Sequence, residues 1–262
     1  MKIKNIPWLG QWRERLAKIF PPETFVPVLT AILVGGGVGF GAVGYQRLLE
    51  VITAFAYGPL QAQMSFLGRF SAVLLPALGA LIAGPLLTYF ARDAKGHGVP
   101  EVMEAVALHG GRISPAIMVN ALASIFIIGM GGSAGRVAPV VQIGAGWGFV
   151  VGHALRLSPA RVRNLVACGT AAGIAATFNA PIAGVFFALE VILGELGARS
   201  FATLVIAAVT SSVVGRSFLG DFPAFVLPGY VLIDYRELLL YAGLGVLAAF
   251  VGVLFVRALA FV

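Results

Sequence analysis

Charge is what this chain has least of. Asp, Glu, Lys and Arg together make up 11% of its 262 residues, against 59% hydrophobic residues and a mean hydropathy of +0.96. Soluble domains carry about a quarter charged residues, so a water-solvated globule is excluded and lipid is the main solvent. Cysteine is scarce too: Cys168 is alone, in an apolar run, which excludes a disulfide framework and a cysteine metal site. No His/Cys/Asp/Glu spacing suggests any other metal centre. No stretch alternates polar and apolar residues as a membrane β-barrel would. No Ser–His–Asp or Ser–Lys arrangement falls at membrane depth, so neither an enzyme nor a resident cofactor is expected. The N-terminus lacks the form of a signal peptide, because basic residues continue to Lys18 and no small-residue cleavage site follows a short apolar core.

What is present is a series of apolar segments, near 24–56, 70–91, 100–109, 116–130, 138–154, 161–176, 181–193, 201–216 and 235–262. Several approach or exceed the roughly 20 residues that span a bilayer core. The fold class read from them is all-α, a polytopic membrane protein with tilted and discontinuous helices. The segments 100–109 and 181–193 are too short to cross alone. A net charge of +7 and a pI near 10 would suit a nucleic-acid binder, but the basic residues lie between apolar segments and at the N-terminus. Topology accounts for them, and no nucleic-acid partner is expected. Lys2, Lys4, Arg13, Arg15 and Lys18 precede the first span, and Arg92 and Lys95 follow the second. Both clusters fall on one side, which the positive-inside rule makes cytoplasmic. Trp8, Trp12, Leu16 and Ile19 share a helical face, so residues 1–22 read as an interfacial helix on the cytoplasmic leaflet.

Three short helices are predicted to open at "GHGVP" (Gly96–Pro100), "GRVAP" (Gly135–Pro139) and "FNAP" (Phe178–Pro181). In each, proline falls in the first turn, where backbone N–H groups have no intrahelical acceptor. Such a helix start presents free donors and the positive end of the dipole, which attract anions. Within lipid those donors must be satisfied by water, a side chain or a dehydrated anion. The alternative reading is a set of kinks with packing glycines.

These residues resemble the CLC family of chloride channels and chloride/proton antiporters. "GHGVPEV" is similar to that family's GSGIPE motif, and "GSAGRVAPVVQIGAG" to its G-S-x-G-[RK]-E-G-P-x-x-Q-x-G motif. "AAGIAATFNAPIAGVFFALEVILGE" is similar to its AAGxAAAFNAPLAGxLFxxEE segment. The likeness runs from residue 24 to 262, in the family's order and spacing. It implies that Gly96, His97, Gly98, Val99 and Pro100, with Gly135, Arg136, Val137, Ala138 and Pro139, border a dehydrated anion. His97 stands at the family's serine, Val137 at its gating glutamate, and Ala138 at the glycine that follows. Glu190 matches the first acid of a glutamate pair, and Val191 stands at the second, the antiporters' proton relay. Asn120 falls where a basic residue often stands.

With Val137 and Val191 both aprotic, the resemblance implies passive passage of chloride, in the manner of the voltage-gated channels and uncoupled from protons. It also implies a homodimer through helices near 181–193 and 201–216, in the plasma membrane with a cytoplasmic N-terminus. Fluoride or nitrate in place of chloride, or a non-conducting half that needs a partner subunit, are the alternatives. A full family member has two inverted halves, the second with a G-x-F-x-P motif and a pore tyrosine; no G-x-F-x-P stands here. At an offset of 210 residues, Gly35, Phe40, Val43 and Arg47 match Gly245, Phe250, Val253 and Arg257, a weak echo of a second inverted repeat. The expected organisation is therefore an N-terminal helix (1–22), a first helical repeat (23–234) and the first helix of an incomplete second repeat (235–262).

Other features read as packing. "GFGAVG" (Gly39–Gly44) satisfies a dinucleotide pattern without the βαβ unit that would give it meaning. Gly35 with Gly39, Gly37 with Gly41, and Gly144 with Gly148 and Gly152 are small-residue faces for close helix approach. His109 and His153 fall near helix ends. Glu101 and Glu104 follow "GHGVP", where negative charge favours the dipole. Glu190 and Glu195 are candidates to pair with Arg199.

Overall fold

The computed structural model of the chain describes residues 22–64, 68, 70–90, 98–195, 197–221 and 234–261. The expected interfacial helix at 1–22, Arg92, Lys95, Gly96, His97 and the Arg199 side chain lie outside the described residues. Among those described, the regular structure is helical throughout. In chain order it comprises α1 (Pro22–Phe55), α2 (Ser71–Phe90), α3 (Val99–Leu108), α4 (Ala116–Gly129), α5 (Val137–Ala154), α6 (Pro159–Phe178), α7 (Pro181–Phe187), α8 (Ala198–Leu219) and α9 (Glu237–Phe261).

Among the described residues, five helical stretches have the length and composition to cross a membrane: Phe25–Gln63, Val73–Phe90, Val137–Ala154, Ser200–Leu219 and Glu237–Phe261. The helix α3 has only 10 residues, about 15 Å of rise, half of a ~30 Å hydrocarbon core. The stretch near 57–69 reads as a loop between two apolar spans, yet the helix runs on through a π-helical turn, Ala56–Leu60, to Gln61–Gln63. Proline has no N–H to give to the residue four before it. The wider π turn carries Pro59 without ending the helix. A second π turn, Ala188–Leu193, continues α7.

The contact pattern divides the chain into two units, Met1–Ala224 and Phe225–Val262. In the first, α6 is the centre: 13 of its 20 residues are buried, so it is the helix the others enclose. Its sequence explains the position, since "ACGTAAGIAA" has almost no side chain to hold neighbours off. The glycines of α5 and α6 face each other. A Cβ on Gly144 would lie 2.6 Å from the Gly169 carbonyl carbon, and one on Gly169 would lie 2.6 Å from that of Gly144. Further along the seam, Gly148 abuts the Leu165 carbonyl and Gly173 that of Val140. The third face of α6 takes Gly184 of α7 against Ala171. On the α8 side, Ser211 Oγ donates to the Ala172 carbonyl at 2.8 Å, and Asn164 Nδ2 donates to Thr203 Oγ1 at 2.9 Å.

Around that kernel, α1 packs Gly35 on Ala207 and Gly39 on Val214 of α8, so the two helices run parallel. Gly37 and Gly41 meet Trp147 and Ile143 of α5. Gly79 of α2 meets Phe126 and Met130 beside α4. The glycine faces expected from spacing are therefore packing faces. The second unit contains α9, which is apolar around its whole circumference except for Glu237 and Arg257.

Candidate functional site

Two of the three short-helix openings meet. Gly98 caps the start of α3 with φ +85°, a backbone setting that glycine adopts without strain. A Cβ there would lie 2.9 Å from the Cβ of Ala138, in the first turn of α5. Beside this meeting point is a cavity of about 280 Å3, bordered by Gly98, Gly135, Ala138, Pro139, the α4 face of Asn120 and Ser124, and Gln142. Leu87 of α2, with Ile127 and Ile128 of α4, supplies apolar wall.

The start of α5 is bare of side-chain caps: Arg136 occupies the capping position without such a bond. The first N–H groups of the helix have no intrahelical acceptor, and the dipole's positive end points toward Gly135. The lining is polar where α4 faces α5. Asn120 with Ser124, and Ala138 with Gln142, are each one helical turn apart and so share a face. Ser124 Oγ donates to the Ala121 carbonyl at 2.6 Å, so the Tyr45 hydroxyl, 3.2 Å away, donates to Ser124. Asn120 Nδ2 and Gln142 Nε2 are buried without a hydrogen-bond partner, and Gln142 is only 3% exposed. Buried donors of this kind cost about 1–3 kcal/mol each unless something accepts from them. Among the described residues, no carboxylate borders the cavity. The arrangement is one of partial positive charges converging on a small volume, suited to a partly dehydrated anion.

Of the described residues expected near the anion, Gly98, Gly135, Ala138 and Pro139 border the cavity. Val99 is half-buried against the main core, and Pro100 is exposed. Arg136 and Val137 are exposed at the start of α5 and do not line the cavity. Helical phase explains this: successive residues turn by about 100°, so Ala138 and Gln142 face inward and Val137 does not. Val191, in the second π turn, packs against the main core, and Glu190 is exposed. Glu195 lies 3.7 Å from Arg163, which also donates to the Leu193 carbonyl at 3.1 Å.

The third opening takes another course. None of residues 178–181 lines the cavity. Asn179, at φ +51°, ends α6 and is held from α8: its Oδ1 accepts from Arg216 Nε at 2.7 Å, and its Nδ2 donates to Asp221 at 2.9 Å.

Comparison with known proteins names the group to which this arrangement belongs. The family model described as "Voltage gated chloride channel" matches residues 79–262. The chain belongs to that family. A curated relative, the "Putative chloride channel protein ClcB-like" of Ralstonia nicotianae, is 32% identical over 228 residues, 84% of this chain and 53% of its own length. Among solved structures, a slow cyanobacterial Cl-/H+ antiporter superposes with a TM-score of 0.68 at 23% identity, over 84% of this chain and 53% of the other. A CLC-type fluoride/proton antiporter gives 0.67 at 26% identity, over 87% and 55%. The chain thus spans about half the length of the curated relatives it matches. It is an integral, multi-pass membrane protein with the all-helical CLC fold.

Sequence reasoning passed over Ser124, Gln142 and Tyr45. A lone glutamine in the apolar run "PVVQIGAG", one turn beyond Ala138, was the available signal. In a membrane helix such a residue points to a protein interior or an ion path.

Proposed function

We propose that this chain forms one half of a membrane anion pathway, in which chloride rests at the cavity where α3 and α5 begin. The observation that carries the reading is the cavity's lining: two helix starts and two unpartnered carboxamide donors, with no carboxylate among the described residues that border the space. Oriented partial charges hold an ion weakly enough to release it, whereas a bare guanidinium in the same place would trap it. Arg136, exposed at the helix start, adds positive potential without occupying the cavity.

Passage is passive in this reading. Val137 stands at the first turn of α5, where a carboxylate would compete with chloride, and Val191 is packed in the core. Neither side chain can carry a proton. The protein sits in the plasma membrane with its N-terminus cytoplasmic, as the basic residues before α1 favour. It pairs with a second copy through α7 and α8, whose groove is walled by Ile182, Val185, Phe186, Phe201, Val205 and Val209.

Full-length protein in liposomes decides among the readings. An outward chloride gradient releases chloride without moving protons if the proposal holds; proton uptake coupled to that flux would overturn it. A competition series with fluoride and nitrate identifies the preferred anion. The non-conducting half-protein is the second reading, favoured by α9, whose all-round apolar surface suits a helix enclosed by others. It predicts chloride binding without flux.

A further inference from the structure

The opposite end of α5 has a second and larger cavity, about 610 Å3, where α3 and α5 end and α6 begins. His109, Arg112, His153 and Arg156 all border it, and among the described residues no acidic one does. Two tight turns bring them there. In the first, Gly110 and Gly111 take φ of +62° and +81°, and the Arg112 N–H donates to the His109 carbonyl at 3.2 Å. That turn is pressed on the start of α6, since a Cβ on Gly111 would lie 3.0 Å from the Arg163 Cα. In the second, Arg156 itself is left-handed, at φ +51°, and its N–H donates to the His153 carbonyl at 3.0 Å. A non-glycine residue in that conformation costs about 1 kcal/mol or more, so packing fixes its place. The His153 ring lies against Phe149, centroids 5.7 Å apart.

Among the described residues, no acidic side chain pairs with the two arginines that border the cavity. One turn into α6, Arg163 has both Glu195 and the Leu193 carbonyl. Arg112 and Arg156 have no ion pair or side-chain hydrogen bond among the described residues. The α6 start brings the positive end of its dipole and the ends of α3 and α5 the negative ends of theirs, so the arginines set the sign of the cavity. Behind the basic rim, Phe149, Leu157 and Val162 make an apolar wall.

We propose that this cavity binds the phosphate headgroup of an anionic phospholipid. Guanidinium groups match phosphate oxygens in a two-pronged geometry, and the wall gives the glycerol and upper acyl carbons a surface that a free phosphate would leave unused. Basic pockets among membrane helices are suited to such headgroups. The position agrees: α6 and α8 begin on one face, joined by Asn164 and Thr203. Because α1 runs parallel to α8, that face is the one from which α1 starts. The basic stretch Lys2–Lys18 precedes α1, so the positive-inside rule makes this the cytoplasmic leaflet, where anionic lipids gather.

The test is native mass spectrometry of the full chain from mild detergent, titrated with phosphatidylglycerol and, separately, with soluble glycerol phosphate. Wild-type protein retains phosphatidylglycerol, and the double variant Arg112→Gln/Arg156→Gln retains it about 30-fold more weakly. The charge-keeping Arg112→Lys/Arg156→Lys, which controls for folding, loses much less, while Arg161→Gln, on an exposed arginine outside the cavity, binds like wild type. Equal retention by wild type and the glutamine pair overturns the site. An equal loss in Arg161→Gln reduces it to general surface charge. Soluble glycerol phosphate competing as well as the lipid overturns the lipid assignment.

Discussion

The two ends of α5 would receive the proposed anions by opposite means. At its start, backbone N–H groups and the amides of Asn120 and Gln142 border a small cavity, with no formally charged side chain among the described residues of the lining. At its end, two guanidiniums and two imidazoles border a space more than twice as large. Dipoles lose strength quickly with distance and suit an ion that must leave again; full charges suit a ligand that stays. In the proposed reading one helix carries both a site for passage and a site for anchorage, separated by its own length of about 27 Å.

The comparison breaks most completely if α5 is forced away from α6. Gly169→Leu places a side chain where the Gly144 backbone lies. It should cost about 3 kcal/mol or more, abolishing the monodisperse peak in size exclusion and both anion sites together. Val137→Glu should affect the start of α5 alone. A carboxylate there opposes a bound anion by roughly 3 kcal/mol, on the order of a hundredfold in chloride affinity by calorimetric titration at pH 7.

Gln142→Leu sharpens the contrast further. Removing an unpartnered buried amide should raise thermal stability by about 1 kcal/mol while weakening chloride binding about tenfold, since a donor to an ion is lost. Opposite signs in the two measurements distinguish an ion-facing donor from a structural one. The smallest effect is that of salt. Raising potassium gluconate from about 0.05 to 0.5 M should weaken phosphatidylglycerol retention at the exposed basic end about threefold and leave the chloride affinity of the enclosed end nearly unchanged.

Much of the fold was legible because lipid imposes simple lengths. Segments near 70–91 and 201–216 became α2 and α8 with shifts of one to three residues. Gly144, Gly148 and Gly152, spaced one turn apart, marked the seam with α6 before any partner was known. The turn at Ala56–Leu60 was not legible, because Pro59 ordinarily ends a helix and the sequence does not signal a π turn. At the site, the glycine and proline punctuation located two helix starts, and Ala138 against Gly98 brings them together. Which residues face the ion depends on helical phase between separate segments, so Asn120, Ser124 and Gln142 became a single surface only once α4 lay beside α5. The Arg163–Glu195 contact joins residues 32 apart through the fold of α6 on α7, and no local spacing announces it.

The glycine seam between α5 and α6 also limits how the molecule can change state. Rotameric switching needs side chains to switch, and at Gly144 and Gly169 there are none. Motion within the seam is therefore motion of whole backbones, because no side chain at these positions can give way.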